Sequence, residues 1–278
     1  MTVELDTSPP RSKTPRAPSH EAWLAMTPAQ RAAVVASLPA DMPEAELAAP
    51  EGDEHFDAKA EGRETLRTYF RHDERRIYVG ADVPVYYPDE DRFSPDVFAV
   101  CDVDPRPRKS WIVDAEGHGL DWVLEILVHG NRAKDLDDNV RRYERLRIPE
   151  YFVFDKLRGV LRGWRLHDRR IAVYTPITPK QGVFSSRVLG LELFLEARRL
   201  RFRRGNALIL APQDVILHLE NSVTDAVMAL EEVDRQRAEA EQRAETERLR
   251  AERAEAERQR ADARVRELEA EIAKLRGG

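Results

Sequence analysis

Two carboxylates of this chain stand inside apolar runs, Asp96 in Ser-Pro-Asp-Val-Phe-Ala-Val and Glu125 in Trp-Val-Leu-Glu-Ile-Leu-Val. A carboxylate in a strand-like apolar run is expensive to bury unless something cationic sits beside it. Two such residues point to a divalent metal. A blander reading stands beside this one for each. Asp96 follows Pro95 and also fits the end of a turn, whereas Glu125, flanked by Leu124 and Ile126 in a central-looking strand, is harder to explain without a partner. Cys101 sits in a strand-like run and reads as core, and His118 between Gly117 and Gly119 marks a turn.

The elements that must position these groups are legible from periodicity. Phe56, Ala60, Leu66, Tyr69 and Phe70 recur at helical spacing and predict an amphipathic helix over 55–72. Glu61 and Glu64 lie on that helix, either turned to the site or on a solvated face. Strand-like runs follow at 76–79, 83–87, 97–103, 111–113 and 122–128, separated by Gly80, an acidic turn at 88–92 and a Pro-rich turn at 104–108. Leu136, Val140, Tyr143 and Leu146 predict a second helix over 132–146, in which Tyr143 reads as core and Asp135 as a charge favoured by the helix dipole. A strand over 151–155 comes next, then a hairpin of 160–166 and 170–175 turning near His167 and Asp168. The order predicts an α/β or α+β core of about 150 residues, large enough to fold alone.

The core is shorter than the chain. Of 278 residues, 35% are charged, and the mean hydropathy is −0.59; the C-terminal third pulls both away from globular averages. Residues 1–54 predict an extension, disordered over its Pro-, Ser-, Thr- and Arg-rich start and helical over 21–38, where Thr27 and Pro28 fit an N-cap and first helical position. The compact domain is predicted over 55–205 and a connector over 206–222. The single cysteine excludes an internal disulfide and fits a reducing cytoplasm. The N-terminus lacks the basic start and apolar stretch of a signal peptide, and no uncharged apolar run approaches ~18 residues, so a cytoplasmic protein with no membrane segment is expected. The net charge of −6 gives the whole chain no electrostatic reason to bind nucleic acid. A nucleic-acid surface has to be a local basic patch.

Residues 223–278 are different in kind. Heptad positions a (Val223, Leu230, Arg237, Ala244, Ala251, Arg258, Val265, Ile272) and d (Ala226, Val233, Ala240, Glu247, Ala254, Ala261, Leu268, Leu275) run without a break, and thirteen of the sixteen are apolar if Ala is included. The remaining surface is mostly Glu and Arg, a coiled-coil pattern suited to a homodimer or a coiled-coil partner. The Ala-rich middle, with Arg237, Glu247 and Arg258 in the seam, leaves open a solvated single helix held by ion pairs.

The order of these motifs resembles the PD-(D/E)XK nuclease core, and within it the Uma-two family of restriction-endonuclease-like proteins. Pro95-Asp96-Val97 matches the family's Pro-Asp strand start and Glu125-Ile126-Leu127 its Glu strand. Asp135, Asn139 and Tyr143 fall on the spacing of its helical Asp, Lys and Tyr, and the run from Ile148 to Asp155 matches the strand that follows. The resemblance covers roughly 55–195 and implies a mixed central sheet flanked by helices, plus the added C-terminal helix. It also implies a metal-dependent DNA endonuclease, with Mg2+ or Mn2+ held by Asp96, Glu125 and the backbone carbonyl of Ile126. Such an ion polarises the scissile phosphate and lowers the pKa of the attacking water.

Two departures qualify that implication. Asn139 occupies the family's lysine position, Leu127 the place two residues after the Glu where the wider superfamily often keeps its lysine. Asn139 can hydrogen-bond a water but carries no charge. Arg142 shares its helical face and offers charge for a phosphate, though it is a poor base. His129, shortly after Glu125, is a candidate phosphate contact. Arg198 to Arg204 form the most basic stretch; Arg201 and Arg203 from it, with Arg141 and its neighbours on the helix, suit a phosphate-tracking patch. An edge strand kept soluble by alternating charge fits that stretch equally well. The rival to an endonuclease is therefore a catalytically inactive nuclease-fold scaffold or nucleic-acid-binding protein that assembles through its coiled coil.

Overall fold

The computed structural model describes residues 15–41, 52–128, 134–168 and 170–276. Of residues 1–20, expected to be disordered, 1–14 lie outside the described residues, while Arg16 and Ala17 bridge Asp91 and Pro88; the contact expected of His129 also falls outside the described residues. The elements run α1 (His20–Ala25), α2 (Pro28–Ser37), α3 (Asp53–His72), β1 (Ile77–Gly80), β2 (Val85–Tyr86), β3 (Val97–Cys101), β4 (Trp111–Ile112), α4 (Val113–Glu116), β5 (Trp122–Leu127), a π-helical turn (Lys134–Asp138), α5 (Asn139–Arg145), β6 (Glu150–Asp155), β7 (Val160–Asp168), β8 (Ile171–Pro176), β9 (Phe184–Ser186), β10 (Leu191–Glu196), β11 (Arg199–Arg204), β12 (Ala207–Ile209) and α6 (Pro212–Arg276). The fold is the mixed α/β arrangement that the motif order implied, with a mixed central sheet, flanking helices and a long C-terminal helix.

The central sheet has the order β1-β3-β5-β6-β7-β8. Its one parallel pair is β5 with β6, registered from Trp122 opposite Glu150 to Leu127 opposite Asp155; the other four pairings are antiparallel. Parallel neighbours need a crossover, and the π-helical turn and α5 lie between them in sequence. Every residue of β5 and β6 is buried, as expected of strands covered on both faces. Trp122, Leu124 and Ile126 join Phe152 and Phe154 on one face, against Leu66 and Phe70 of α3 and the inward residues of β9, β10 and β11. Val123 and Leu127 join Tyr151 and Val153 on the other, against Tyr143 of α5, Phe93 and Trp111. Burying each such large apolar side chain is worth roughly 1.5–3 kcal/mol. Gly163 on β7 is required here, since a Cβ would meet the ring of Phe152, its cross-strand partner, at 2.7 Å.

The N-terminal segment is part of this unit. Thr27 and Gln30 form a capping box ahead of α2 with Pro28 in its first turn, the start signal read from the sequence. Ala17 and Leu38 pack on Tyr86 and Ile112, while the Tyr86 hydroxyl donates to the carbonyl of Pro39 at 2.6 Å.

The arginine-rich stretch forms β11, which is not an edge. It lies between β10 and β12 in a second, antiparallel sheet of order β12-β11-β10-β9. Leu200 and Phe202 point into the core, which is why this charged stretch docks.

Residues 216–278 form a separate unit made of the long helix. That helix begins at Pro212, within the stretch expected to be a connector, because Pro fits the first turn. Its surface pairs Arg235 with Glu232, Arg237 with Glu241, Arg243 with Glu239 and Arg248 with Glu252 within single turns. Val223, Leu230, Val233, Val265, Leu268 and Ile272 from the heptad seam are exposed. No helix among the described residues is long and apolar enough to cross a membrane.

Candidate functional site

The site forms where β3 and β5 part. Their ladder ends at Val97 opposite Leu124, so the next facing positions are Asp96 and Glu125. Beyond that point side chains take the hydrogen bonds that a continued ladder would make. The Ile126 N–H donates to Asp96 Oδ2 at 2.7 Å, and the Asp96 N–H donates to Glu125 Oε2 at 3.2 Å. Proline at 95 favours this break, because it cannot donate to a ladder.

The Ile126 peptide group is therefore turned toward Asp96. The following carbonyl, of Leu127, accepts from the Lys156 N–H on the β6 side at 2.9 Å. Successive peptides along a strand face opposite edges, so the Ile126 carbonyl shares the Asp96 side with its own N–H. Two carboxylates and one carbonyl thus come from adjacent strands to one place.

Helix α5 closes the site from behind. Tyr143 donates its hydroxyl to Glu125 Oε1 at 2.5 Å, and the Asn139 amide reaches the same oxygen at 3.5 Å, a long and weak contact. Both side chains are buried. Burial, followed by the neighbouring Glu125 charge, pushes the Tyr143 phenol well above its usual range. Tyr143 therefore keeps its proton at neutral pH and works as a fixed donor to Glu125. Asn139, at the lysine position of the nuclease pattern, stands behind Glu125 as well.

Arg142 does not join this group. Its guanidinium lies over the Phe93 ring, 5.4 Å from the centroid, with Nε 3.5 Å from Glu90, and Phe93 in turn packs on Tyr143. Arg145 shares Glu90 at 2.6 Å. The arginines of β11 are engaged elsewhere: Arg199 with Glu61 and Asp214, Arg201 with Asp214 and Glu196, and Arg203 with Glu192. Arg201 is buried in that network, while Arg141 is exposed on α5. Glu61 faces β11 rather than the carboxylates, and Glu64 is paired with Arg63. The side chain of Asp135 lies outside the described residues.

One basic residue touches the site and two more are tied to the segments beside it, none singled out by sequence pattern. His55, in the first turn of α3, sits with Nε2 3.1 Å from Asp96 Oδ2. Lys59, one turn further on, pairs with Asp82 at 2.6 Å, and the Asp82 N–H donates to the carbonyl of Pro95. Lys156, just past β6, donates to the carbonyl of Glu54 at 2.9 Å. The helix periodicity placed His55 at the start of the domain, but only the tertiary docking of α3 brings it to Asp96.

The family model described as "Putative restriction endonuclease", Uma2, matches residues 44–203, more than half of the chain. The chain belongs to the Uma2 family. Among solved structures it is similar to a putative nuclease belonging to DUF820 from Anabaena variabilis ATCC 29413, at 11% identity over 50% of this chain and 74% of that one, with a TM-score of 0.38. No curated protein matches it. The matched Uma2 region holds every residue of the site, from His55 on α3 to Tyr143 on α5.

Proposed function

We propose that this Uma2 protein is a metal-dependent DNA endonuclease whose divalent cation, Mg2+ or Mn2+, is held by Asp96, Glu125 and the Ile126 carbonyl. The observation that carries the reading is the parting of β3 and β5, which sets two carboxylates side by side in the middle of a buried sheet. The donor set is all oxygen, which suits a hard divalent ion. Among the described residues no three His, Cys, Asp or Glu side chains already stand at ligating spacing. Both Glu125 oxygens are instead taken up by Tyr143, Asn139 and the Asp96 N–H, so binding exchanges some of these contacts for the ion.

When bound, the cation would supply polarisation of the phosphate and activation of water. The chain's own residues do the rest. Tyr143 and Asn139 fix the carboxylate plane of Glu125, and the Ile126 N–H fixes that of Asp96, so that neither has to be ordered when substrate arrives. The apolar walls around Trp122, Leu124 and Tyr143 exclude bulk water from behind the acids. DNA is the substrate that the family description suggests, and His167, Lys180 and Arg187 line a cleft that offers phosphate contacts beyond the site. A cytoplasmic location is part of the same reading, on the single cysteine, as is self-association through 223–278 on the exposed apolar seam.

One observation favours the rival reading of a docking module with no turnover: Asn139, in place of the pattern's lysine, lies buried behind Glu125. Nicking of supercoiled plasmid by the purified chain with Mg2+ or Mn2+, beside Asp96→Ala and Glu125→Ala prepared identically, separates the two. Metal-dependent nicking lost in both variants supports the endonuclease. Absence of nicking, or equal nicking by the variants, supports the docking module. Light scattering on the full chain and on a chain ending before 223 tests assembly; two monomers would remove self-association.

A further inference from the structure

We propose that His55 is a nitrogen ligand of the same cation and biases the site toward Mn2+ over Mg2+. This rests on the cation site proposed above and assigns it a ligand that the strand motifs do not contain.

The geometry carries the assignment. His55 Nε2 lies 3.1 Å from Asp96 Oδ2, and the two side chains are only 15% and 16% exposed. An imidazole donating to a carboxylate stands about 2.7–3.2 Å from it, and two neighbouring ligands of one octahedral cation with bonds of roughly 2.1 Å stand about 3 Å apart. The contact suits both, so the ring already stands at the spacing of a neighbouring ligand to Asp96 and exchanges a hydrogen bond for the ion when one binds.

The imidazole is delivered by a rigid element. Helix α3 lies close on the sheet, where a Cβ on Gly62 would stand 3.8 Å from Leu124 Cδ2 and Leu66 is wholly buried. One turn beyond His55, the Lys59 to Asp82 pair ties α3 to the loop whose Asp82 N–H holds the carbonyl of Pro95. Pro95 is the residue before Asp96, so His55 and Asp96 are fixed to one another through both helix and loop. Such tethering holds a ligand to the tolerance that a cation needs.

The chemistry sets the metal. Carboxylate and carbonyl oxygens suit Mg2+, Ca2+ and Mn2+ alike, while imidazole belongs with the transition metals. A set of two carboxylates, one carbonyl and one imidazole is shared best by Mn2+. Coordination requires the neutral ring with its Nε2 lone pair directed at the ion, so binding displaces any proton held there.

The test is Mn2+ titrated into the full-length protein and followed by electron paramagnetic resonance, with continuous-wave spectra counting bound ion and pulsed spectra reading its nitrogen neighbours. Bound Mn2+ should show 14N modulation that His55→Ala removes, and the Mg2+ needed to displace it should fall about tenfold in that variant. Asp96→Asn should abolish binding itself. Mn2+ that binds through Asp96 without nitrogen modulation, or with modulation that survives His55→Ala, rejects His55 as a ligand and leaves the cation site standing. No bound Mn2+ in the wild-type protein rejects both. The wild-type pulsed spectrum decides for or against nitrogen ligation even where a variant fails to fold.

Discussion

The parallel pair of β5 and β6 carries two buried glutamates, and the two are treated differently. At the start of β6, Glu150 accepts from Arg165 Nε at 2.7 Å and from the Arg187 N–H at 2.8 Å, and it bonds the Ser186 hydroxyl. Its charge is matched by a guanidinium, and its three partners join β6, β7 and the second sheet. Three residues after the start of β5, Glu125 accepts from a phenol, an amide and the Asp96 peptide, and the residue facing it across the strand gap is another acid. One is an ion pair locked into the architecture. The other sets two acids side by side where β3 and β5 part, an arrangement that suits the recruitment of a cation.

The contrast breaks first at Glu150. Glu150→Ala leaves Arg165 uncompensated at a side chain only 13% exposed, and about 3–5 kcal/mol of stability should be lost in urea denaturation. A loss near zero would mean that this glutamate is not architectural. Glu125→Gln keeps an acceptor for Tyr143 and should change stability by no more than about 1 kcal/mol, while nicking falls at least ~100-fold, about 2.7 kcal/mol in the barrier. Equal losses of stability at the two glutamates would erase the distinction. Tyr143→Phe removes a donor from Glu125 and should weaken Mn2+ binding about tenfold, as lost outer contacts to metal ligands do; unchanged affinity would show that Glu125 is oriented by other means.

The same tyrosine sharpens the account through pH. The folded protein holds the phenols of Tyr143, Tyr174 and Tyr78 above their ordinary value of 10.0, chiefly by burial. A raised folded pKa favours the protonated form, so this contribution is fully present below pH 10.0 and is lost as pH climbs beyond it. Stability should fall above that point, less steeply in Tyr143→Phe. An identical alkaline slope in the variant would count against the buried phenol. The smallest effect belongs to the long helix, where Arg248→Ala removes an exposed pair with Glu252 and should cost no more than about 0.5 kcal/mol.

The strands and both carboxylates were legible because burial on two faces writes itself as continuous apolar runs, in which Asp96 and Glu125 stand out. The partners were less so. Tyr143 read as core, and it is core, yet its hydroxyl also holds Glu125. Arg142 shares a helical face with Asn139, but the Phe93 ring and Glu90 draw it away, and neither is near in sequence. The arginines of β11 suit a phosphate-tracking patch and a charged edge strand equally in the sequence, because the acids that pair with them come from α3, β10 and the first turn of α6. His55 left no periodic trace, since a lone histidine at a helix start gains its meaning only from the loop that docks beside it.

The most direct test of the central claim is anomalous diffraction from crystals of the full chain grown with Mn2+. A manganese peak within coordinating distance of Asp96 and Glu125, with none at Glu150, is the predicted result. A well-ordered map with Asp96 and Glu125 still closed on each other and no peak between them would contradict it.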